Sequence, residues 1–588
     1  MAAHQEEEVL GKAYDARLMR RLLRYLLPYW PQVLLALTAI VGASMLQLAQ
    51  PYLMKIAIDD HIAVGSMDGL EKIALAFLAV LVGSFLLEYL QTWTLQNTGQ
   101  RIMFDMRMQI YRHLQRIDVQ YYDRNPVGRL MTRVTSDVDV LNELFTAGVV
   151  SVFGDIFLLI GIMTALAIMD WRLAAISFAV LPLIALVTQW FRRNVRESYR
   201  SVRTWIARIN AFLQEHITGM STVQLFRRER RSFEAFDEVN RGHRDANIDS
   251  IYYYAVFYPA IEVIGALSTA MIIWFGGIWV LADTLTVGSF VAFILYSQRF
   301  YRPISDLSEK FNILQAAMAS SERIFKLLDT PPKIVSPTLA RSGSGVGHIV
   351  FESVTFGYDT TDPVLRDVSF EVKPGERVGI VGATGAGKST IINLLLRFYD
   401  VTSGRILVDG RDVRETDLAE LRRLFSLVLQ DVHLFSGTIA SNIRLGESSI
   451  DDEAVKRAAA SVHASGFIEA LPAGFESPVA ERGATLSVGQ KQLLSFARAL
   501  AFDPRILVLD EATSSVDTET ELLIRDALHT LMSGRTTIAI AHRLSTIQDM
   551  DKILVLHRGT LRESGTHQEL LAQRGIYYKL FQLQYRES

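Results

Sequence analysis

The chain has 588 residues, half of them hydrophobic and 21% charged, with a net charge of −3 and no cysteine. Disulfides, thiolate nucleophiles and cysteine-ligated zinc or iron–sulfur centres are therefore excluded. The small net charge gives no argument for a nucleic-acid partner. A mean hydropathy of +0.21, in a chain longer than one ordinary domain, implies two unlike parts, one oily and one ordinary.

The first residues, MAAHQEEEVLGKAYD, are polar and acidic and lack the charged-then-apolar pattern of a cleaved secretory signal. DARLMRRLLRYLLPYW follows, with arginines on one side and leucines on the other. It predicts an elbow helix over about 15–29, either lying in the membrane interface or merely cytoplasmic; its Trp and Arg content favours the interface. Six stretches then approach the ~20 apolar residues needed to cross a bilayer core of about 30 Å. They are 33–58, 72–95, 146–169, 172–191, 256–281 and 288–308. The last is the most polar and contains Pro303; it is counted because an even number returns the chain to its starting side.

Charge placement sets the orientation. Arg101, Arg107, Arg112, Arg116, Arg124, Arg129 and Arg133 lie between the second and third stretches. Arg192, Arg193, Arg196, Arg200, Arg203, Arg208, Arg227 and Arg228 lie between the fourth and fifth. The opposite connections, DDHIAVGSMDG, DW and DTLTVG, lack arginine. Positive charge stays inside, so both termini and both long loops are expected in the cytoplasm of a multi-pass membrane protein. Both loops carry apolar residues at helical spacing, which predicts helices that continue beyond the lipid. Glu88, Asp155 and Glu262 fall within spans, with Lys55 near the end of the first. Two readings stay open for them: they line a cavity for cationic or amphipathic molecules, or they are reached by water or paired with neighbouring helices.

TPPKIVSPTLARSGSGVG reads as a linker. The expected division is a transmembrane domain over 1–328, a linker over 329–347 and a nucleotide-binding domain over 348–588. HIVFESVTFGY and PVLRDVSFEVKPG alternate as exposed-face strands do. RVGIVGATGAGKSTIINLLLRFY then gives a buried strand, a glycine-rich turn and a helix. Gly382, Ala383, Thr384, Gly385, Ala386, Gly387, Lys388, Ser389 and Thr390 fit the G-x-x-x-x-G-K-[ST] phosphate loop in its required context. Backbone N–H groups would curl round phosphate oxygens, Lys388 would reach the β- and γ-phosphates, and Ser389 would hold Mg²⁺. In RILVLDEATSSVD, a buried strand delivers Asp510 as a second Mg²⁺ ligand. Glu511 follows and, pointing another way, can serve as general base toward the attacking water. TTIAIAHRLST repeats the pattern and brings His542 to a strand end as a γ-phosphate contact. Gln430, after LFSLVL, is placed to sense the metal or the water. In LSVGQ, Ser487, Gly489, Gln490 and the backbone N–H groups at a helix start make a further anion site, one more than a single nucleotide needs.

GATGAGKST, Gln430, LSVGQ, ILVLDE, SSVD and His542, in this order behind six spans, resemble an ABC exporter half-transporter. The likeness covers nearly the whole chain. It implies an α-helical six-span domain followed by an α/β P-loop ATPase with an antiparallel β subdomain and a helical subdomain. It also implies two ATP molecules sandwiched between two such domains. Tyr358 would stack on adenine, and Ser515 to Asp517 would communicate between the sites. Glu481 would sit in a loop touching the partner's membrane helices, and segments near Tyr121–Asn125 and Ile209–Gly219 would be coupling helices. The family's LSGGQ reads LSVGQ here, with Val488 crowding the approach to phosphate. An intact Glu511 beside an imperfect LSVGQ resembles the catalytically intact subunit of bacterial heterodimeric multidrug-resistance-like pairs, with a homodimer as the alternative. The expected activity is ATP-driven export of amphipathic or lipophilic small molecules by alternating access. A lipid flippase and an ATP-gated channel or regulator are the alternatives.

Overall fold

Helices make up the described residues as far as Thr330, and mixed sheet-and-helix structure the described residues beyond it. The computed structural model describes residues 15–337, 345–359, 362–510, 518–540 and 547–587. The chain forms two units. One consists of the chain up to His113 together with Gly128–Thr330; the other combines Leu114–Val127 with the chain from Pro331 onward.

In the first unit, Asp15 caps the helix Ala16–Leu23 by accepting from the Arg17 N–H at 2.7 Å. A 3₁₀ turn over Arg24–Tyr29 continues it into the helix Trp30–Ile56. The leading helix is tied down within its unit. Arg21 makes two bonds to the Asp329 carboxylate, at 2.6 and 2.7 Å, and lies 4.1 Å over the Phe325 ring. Tyr25 donates to Gln109 and Tyr29 to Asp105. The following helices are long: Leu70–Leu114, Leu181–Thr218 and Glu229–Met271. At 1.5 Å per residue the first of these extends about 65 Å, roughly twice a bilayer core. Among the described residues five helical runs are long and apolar enough to cross a membrane: Ala16–Ile62, Leu70–Leu114, Val127–Met169, Trp171–Thr218 and Glu229–Leu281. The stretch 288–308 lies in the helix Val287–Leu328, which is not among those five. Arg299, Arg302, Asp306, Glu309 and Lys310 dilute its apolar character.

The stretch 172–191 is broken. Pro182 has no N–H for the carbonyl four residues back, so the helix Trp171–Phe178 ends and Leu181–Thr218 begins anew. Asp170 makes the turn before it, accepting from the N–H groups of Arg172 and Leu173 at 2.8 and 3.0 Å. A short separate helix, Met220–Leu225, lies just past the segment 209–219. Of the acids in the spans, Asp155 is ion-paired with Lys310. Glu88 accepts from Gln47 Nε2 at 2.7 Å and Ser84 Oγ at 3.4 Å, and Glu262 is exposed.

The second unit is built on two sheets. A four-stranded antiparallel sheet contains Ile349–Phe356 and Leu365–Val372 at one side and Ser403–Val408 with Arg411–Asp412 at the other. A six-stranded sheet runs in the order Thr560–Gly565, Lys552–His557, Arg377–Val381, Thr536–Ile540, Ile506–Asp510, Phe425–Val428. Every neighbouring pair is parallel except the first. Its central strands are apolar on both faces, as expected of strands sandwiched between layers. A helical layer, including Ile439–Arg444, Asp452–Ser461 and Val488–Ala501, packs on one of the two hydrophobic clusters.

Candidate nucleotide site

Strand register decides where the chemistry collects. Ile540 pairs with both Ile380 and Asp510, and Val428 pairs with Leu509. Four parallel strands therefore end at one edge of the sheet, the edge at which open α/β sheets bind ligands. Val381 leads into the glycine-rich loop at that edge, Asp510 stands at its strand's last position, and Gln430 follows two residues after Val428, exposed. Glu511, the loop 515–517 and His542 lie outside the described residues.

The loop from Gly382 to Gly387 is shaped by its glycines. A Cβ on Gly382 would sit 2.3 Å from the Leu556 carbonyl oxygen, so no side chain fits there. Gly385 has open space around it, but its φ of +79° is left-handed, which L side chains avoid. Ala383, Thr384 and Gly385 are exposed, while Ala386, Gly387, Lys388 and Thr390 are buried. The helix Lys388–Leu395 starts directly after the loop, so its unbonded N–H groups and positive end face the same edge. The Lys388 ammonium is folded back onto the loop, donating to the carbonyls of Gly382 at 2.7 Å and Ala383 at 3.2 Å. That posture holds a cation against the loop's own carbonyls. Ser389 beside it is exposed. An exposed hydroxyl, one carboxylate and an exposed amide fit Mg²⁺, which keeps several waters and takes few protein ligands beside substrate phosphates.

Tyr358 reaches the same helix. Its hydroxyl lies 3.3 Å from Thr390 Oγ1 and accepts from Asn393 Nδ2 at 3.3 Å. Its ring stands edge-on to Phe356 and Tyr399, with centroids 5.1 Å away in each case. Sequence reasoning marked the segment near Tyr121–Asn125 but not the bonds it makes beside Tyr358. The short helix Val119–Arg124 belongs to this unit, and Tyr399 donates its hydroxyl to the Asp123 carboxylate. Burial and the nearby Asp123 push the Tyr399 ionisation far above that of an ordinary tyrosine, so it remains a donor at physiological pH. Arg124 donates to the Tyr358 carbonyl at 3.3 Å and lies 3.7 Å from the Asp359 carboxylate. Asp118, preceding the helix, accepts from the N–H groups of Lys333 and Ile334 at 2.8 and 2.9 Å. A cleft of about 520 Å³ lies among these groups, lined by Arg124, Lys333, Tyr358 and Tyr399 among others. No periodicity or motif in the sequence pairs Asp123 with Tyr399.

LSVGQ opens the helix Val488–Ala501 through a reciprocal cap. Ser487 Oγ accepts from the Gln490 N–H at 3.2 Å, and Gln490 Oε1 accepts from the Ser487 N–H at 3.0 Å. Val488 is 54% exposed, whereas Gly489 is buried. The valine side chain therefore points out of its own unit and costs it no packing. Further along the helix, Arg498 donates to the Asn442 carbonyl at 2.9 Å and the His433 carbonyl at 3.2 Å. Asn442 in turn bonds both backbone groups of Phe435 at 2.8 Å. The segment after Gln430 is thereby fastened to the helix that LSVGQ begins. Glu481 lies exposed in the turn Glu481–Gly483.

Comparison with known proteins matches this layout. The chain is 38% identical to an uncharacterized ABC transporter ATP-binding protein, YknV, of Bacillus subtilis, over 99% of this chain and 97% of that one. It belongs to the ABC transporter family. The model for the ABC transporter transmembrane region matches residues 33–304, and the ABC transporter model matches 365–514. A probable multidrug resistance ABC transporter ATP-binding/permease protein, YheH, of Bacillus subtilis is 38% identical over 86% of this chain and 75% of its own length. An ATP-dependent lipid A-core flippase of Syntrophus aciditrophicus is 36% identical over 97% and 95%. A helical membrane region and an ABC ATPase share one chain, and ATP hydrolysis is coupled to transport.

Proposed function

We propose that this ABC transporter chain is half of a dimeric exporter that moves amphipathic or lipophilic small molecules out across the plasma membrane. Six spans carry the cargo path, with the sixth in Val287–Leu328, and both termini are cytoplasmic. The observation that carries the dimer is the exposed Ser487–Val488 helix start on a chain that has one phosphate loop. Its anion-binding groups serve a nucleotide held by the loop of a second polypeptide. ATP is bound by Gly382 to Thr390, with Tyr358 against the adenine. Ser389 and Asp510, with Gln430, hold Mg²⁺, which neutralises phosphate charge when bound. Glu511 takes the proton of the attacking water and His542 contacts the γ-phosphate. Closure is passed through the helix Val119–Arg124, and cargo moves because inward- and outward-facing states bind it differently.

An outward-pointing Val488 at the contact with a second nucleotide favours a heterodimer whose sister chain carries the undisturbed LSGGQ. Purified alone, this chain is expected to hydrolyse ATP slowly and to reach full rate with the sister present. Full-rate turnover by an isolated monomer defeats the dimer reading, and full-rate turnover by a homodimer defeats the heterodimer. Glu511→Gln should bind ATP but not turn it over. The flippase relative favours a second reading, a lipid headgroup as cargo. Reconstituted flipping of labelled lipid, compared with drug uptake, separates the two.

A further inference from the structure

Proline inside a membrane helix frees the carbonyl four residues earlier, and a neighbour must satisfy it. Pro51 does this within Trp30–Ile56, and the carbonyl it frees is that of Gln47. The donor comes from another helix: Arg299 Nη1 bonds the Gln47 carbonyl oxygen at 2.7 Å. Its Nη2 bonds Gln50 Oε1 at 2.5 Å, and Tyr296, one turn earlier, donates to the Leu48 carbonyl at 2.5 Å. Any hydrogen-bonding side chain of sufficient reach would serve that carbonyl. A permanent cation is an expensive choice in a membrane segment, and such residues face cavities or pathways.

The acceptors that hold Arg299 among the described residues are both neutral. Among the described residues no carboxylate lies within ion-pair distance of it. Asp155 is taken by Lys310, and Glu88 accepts from the Gln47 side chain and Ser84. Two of the guanidinium's five N–H groups are used. The side chain is half-buried, and Nε is not among the described buried atoms left without a partner. A pinned, charged fork with hydrogen-bonding capacity beyond these two contacts is the kind of group that receives a carboxylate or phosphate.

We propose that Arg299 is a binding residue for the anionic head of the cargo, so that the exported molecules are amphiphiles carrying a carboxylate or phosphate. This deepens the export reading and rests on it. The acids that suggested a cationic cargo are instead engaged within the bundle, apart from the exposed Glu262.

The test is ATP-driven accumulation in inside-out proteoliposomes holding the complete transporter. The probes are oleic acid, methyl oleate, oleylamine and a monoacyl phosphate of similar chain length. Wild type should favour the two acids over the ester by about 10-fold or more, the worth of a charge-assisted contact. Arg299→Gln should erase that preference and Arg299→Lys should keep part of it. Because Arg299→Gln also strips the donor from the Gln47 carbonyl, the deciding variant is Pro51→Ala/Arg299→Gln. Its alanine restores the missing N–H, so the helix is satisfied without the charge, and the preference should still be lost. Retention of the preference in that variant overturns the proposal. So does equal accumulation of acid, ester and amine by wild type, which leaves the export reading standing. Failure to move any of the four with ATP defeats the export reading and this inference with it. Discrimination between carboxylate and phosphate names the head group.

Discussion

Replacing Tyr399 with phenylalanine isolates one hydrogen bond inside the ATPase unit, to a helix encoded amid the membrane sequence. The ring keeps its contacts with Phe356, at 5.6 Å, and Tyr358, at 5.1 Å. What is lost is the hydroxyl's bond to the Asp123 carboxylate. Hydrogen bonds to charged groups contribute about 1.5–3 kcal/mol. Asp123 is exposed and regains water when the hydroxyl goes, so the lower end applies. About 1.5 kcal/mol is roughly a tenfold change in the local opening equilibrium. The change should be graded along the helix, because Asp118 still binds the Lys333 and Ile334 N–H groups. Amide hydrogen exchange on the full-length protein should therefore rise about tenfold around 121–125 and little around 118–119. In proteoliposomes, cargo moved per ATP should fall more than the hydrolysis rate does. Unchanged exchange at 121–125 would refute the claim that this bond docks the helix, and a uniform rise across 114–127 would show that Asp118 does not anchor it.

Lys388→Ala should lower ATP affinity about 10- to 150-fold, the value of one charge-assisted contact, with hydrolysis undetectable; nucleotide titration measures the first and phosphate release the second. Gly385→Ala meets no neighbour and costs on the order of 1–2 kcal/mol of backbone strain, whereas Gly382→Ala meets the Leu556 carbonyl and should destabilise considerably more. Thermal denaturation of the two variants side by side checks the order. Asp551 is held below the usual carboxylate range by its hydrogen bonds from Arg377. Its folded pKa is depressed, so its stabilisation is complete above an unfolded value of about 3.9 and is lost as pH falls through the folded value. The stability gap between wild type and Asp551→Asn should accordingly be constant from neutral pH to about pH 5 and shrink below pH 4.

Much of this layout is legible in the residues because the relevant signals are local. The glycine-rich loop between strand and helix, the buried run ending at Asp510 and the serine opening LSVGQ are each specified within a dozen residues. Strand order is not local. That Thr536–Ile540 lies between Arg377–Val381 and Ile506–Asp510 rests on the pairing of Thr537 with Arg377, far apart in the chain, as well as on the nearer pairing of Thr536 with Ile506. The break at Pro182 was available from the missing N–H, but apolar composition on both sides masks it. Val287–Leu328 is a helix as its pattern predicts, yet its charges keep it below the hydropathy that marks a span. Arg299 illustrates the remainder: a proline in a span announces that a donor is required, and says nothing of which distant side chain provides it.

The Leu114–Val127 segment is encoded amid membrane helices and folds with the ATPase. A cassette excised at the linker is consequently short of a piece of its own surface, and Tyr399, Lys333 and the underside of Tyr358 become newly wetted. Swapping cassettes between relatives transplants one side of that joint without the other. Functional hybrids will need three crossovers in the gene, one on each side of Leu114–Val127 and one at the linker, where the linear order suggests one.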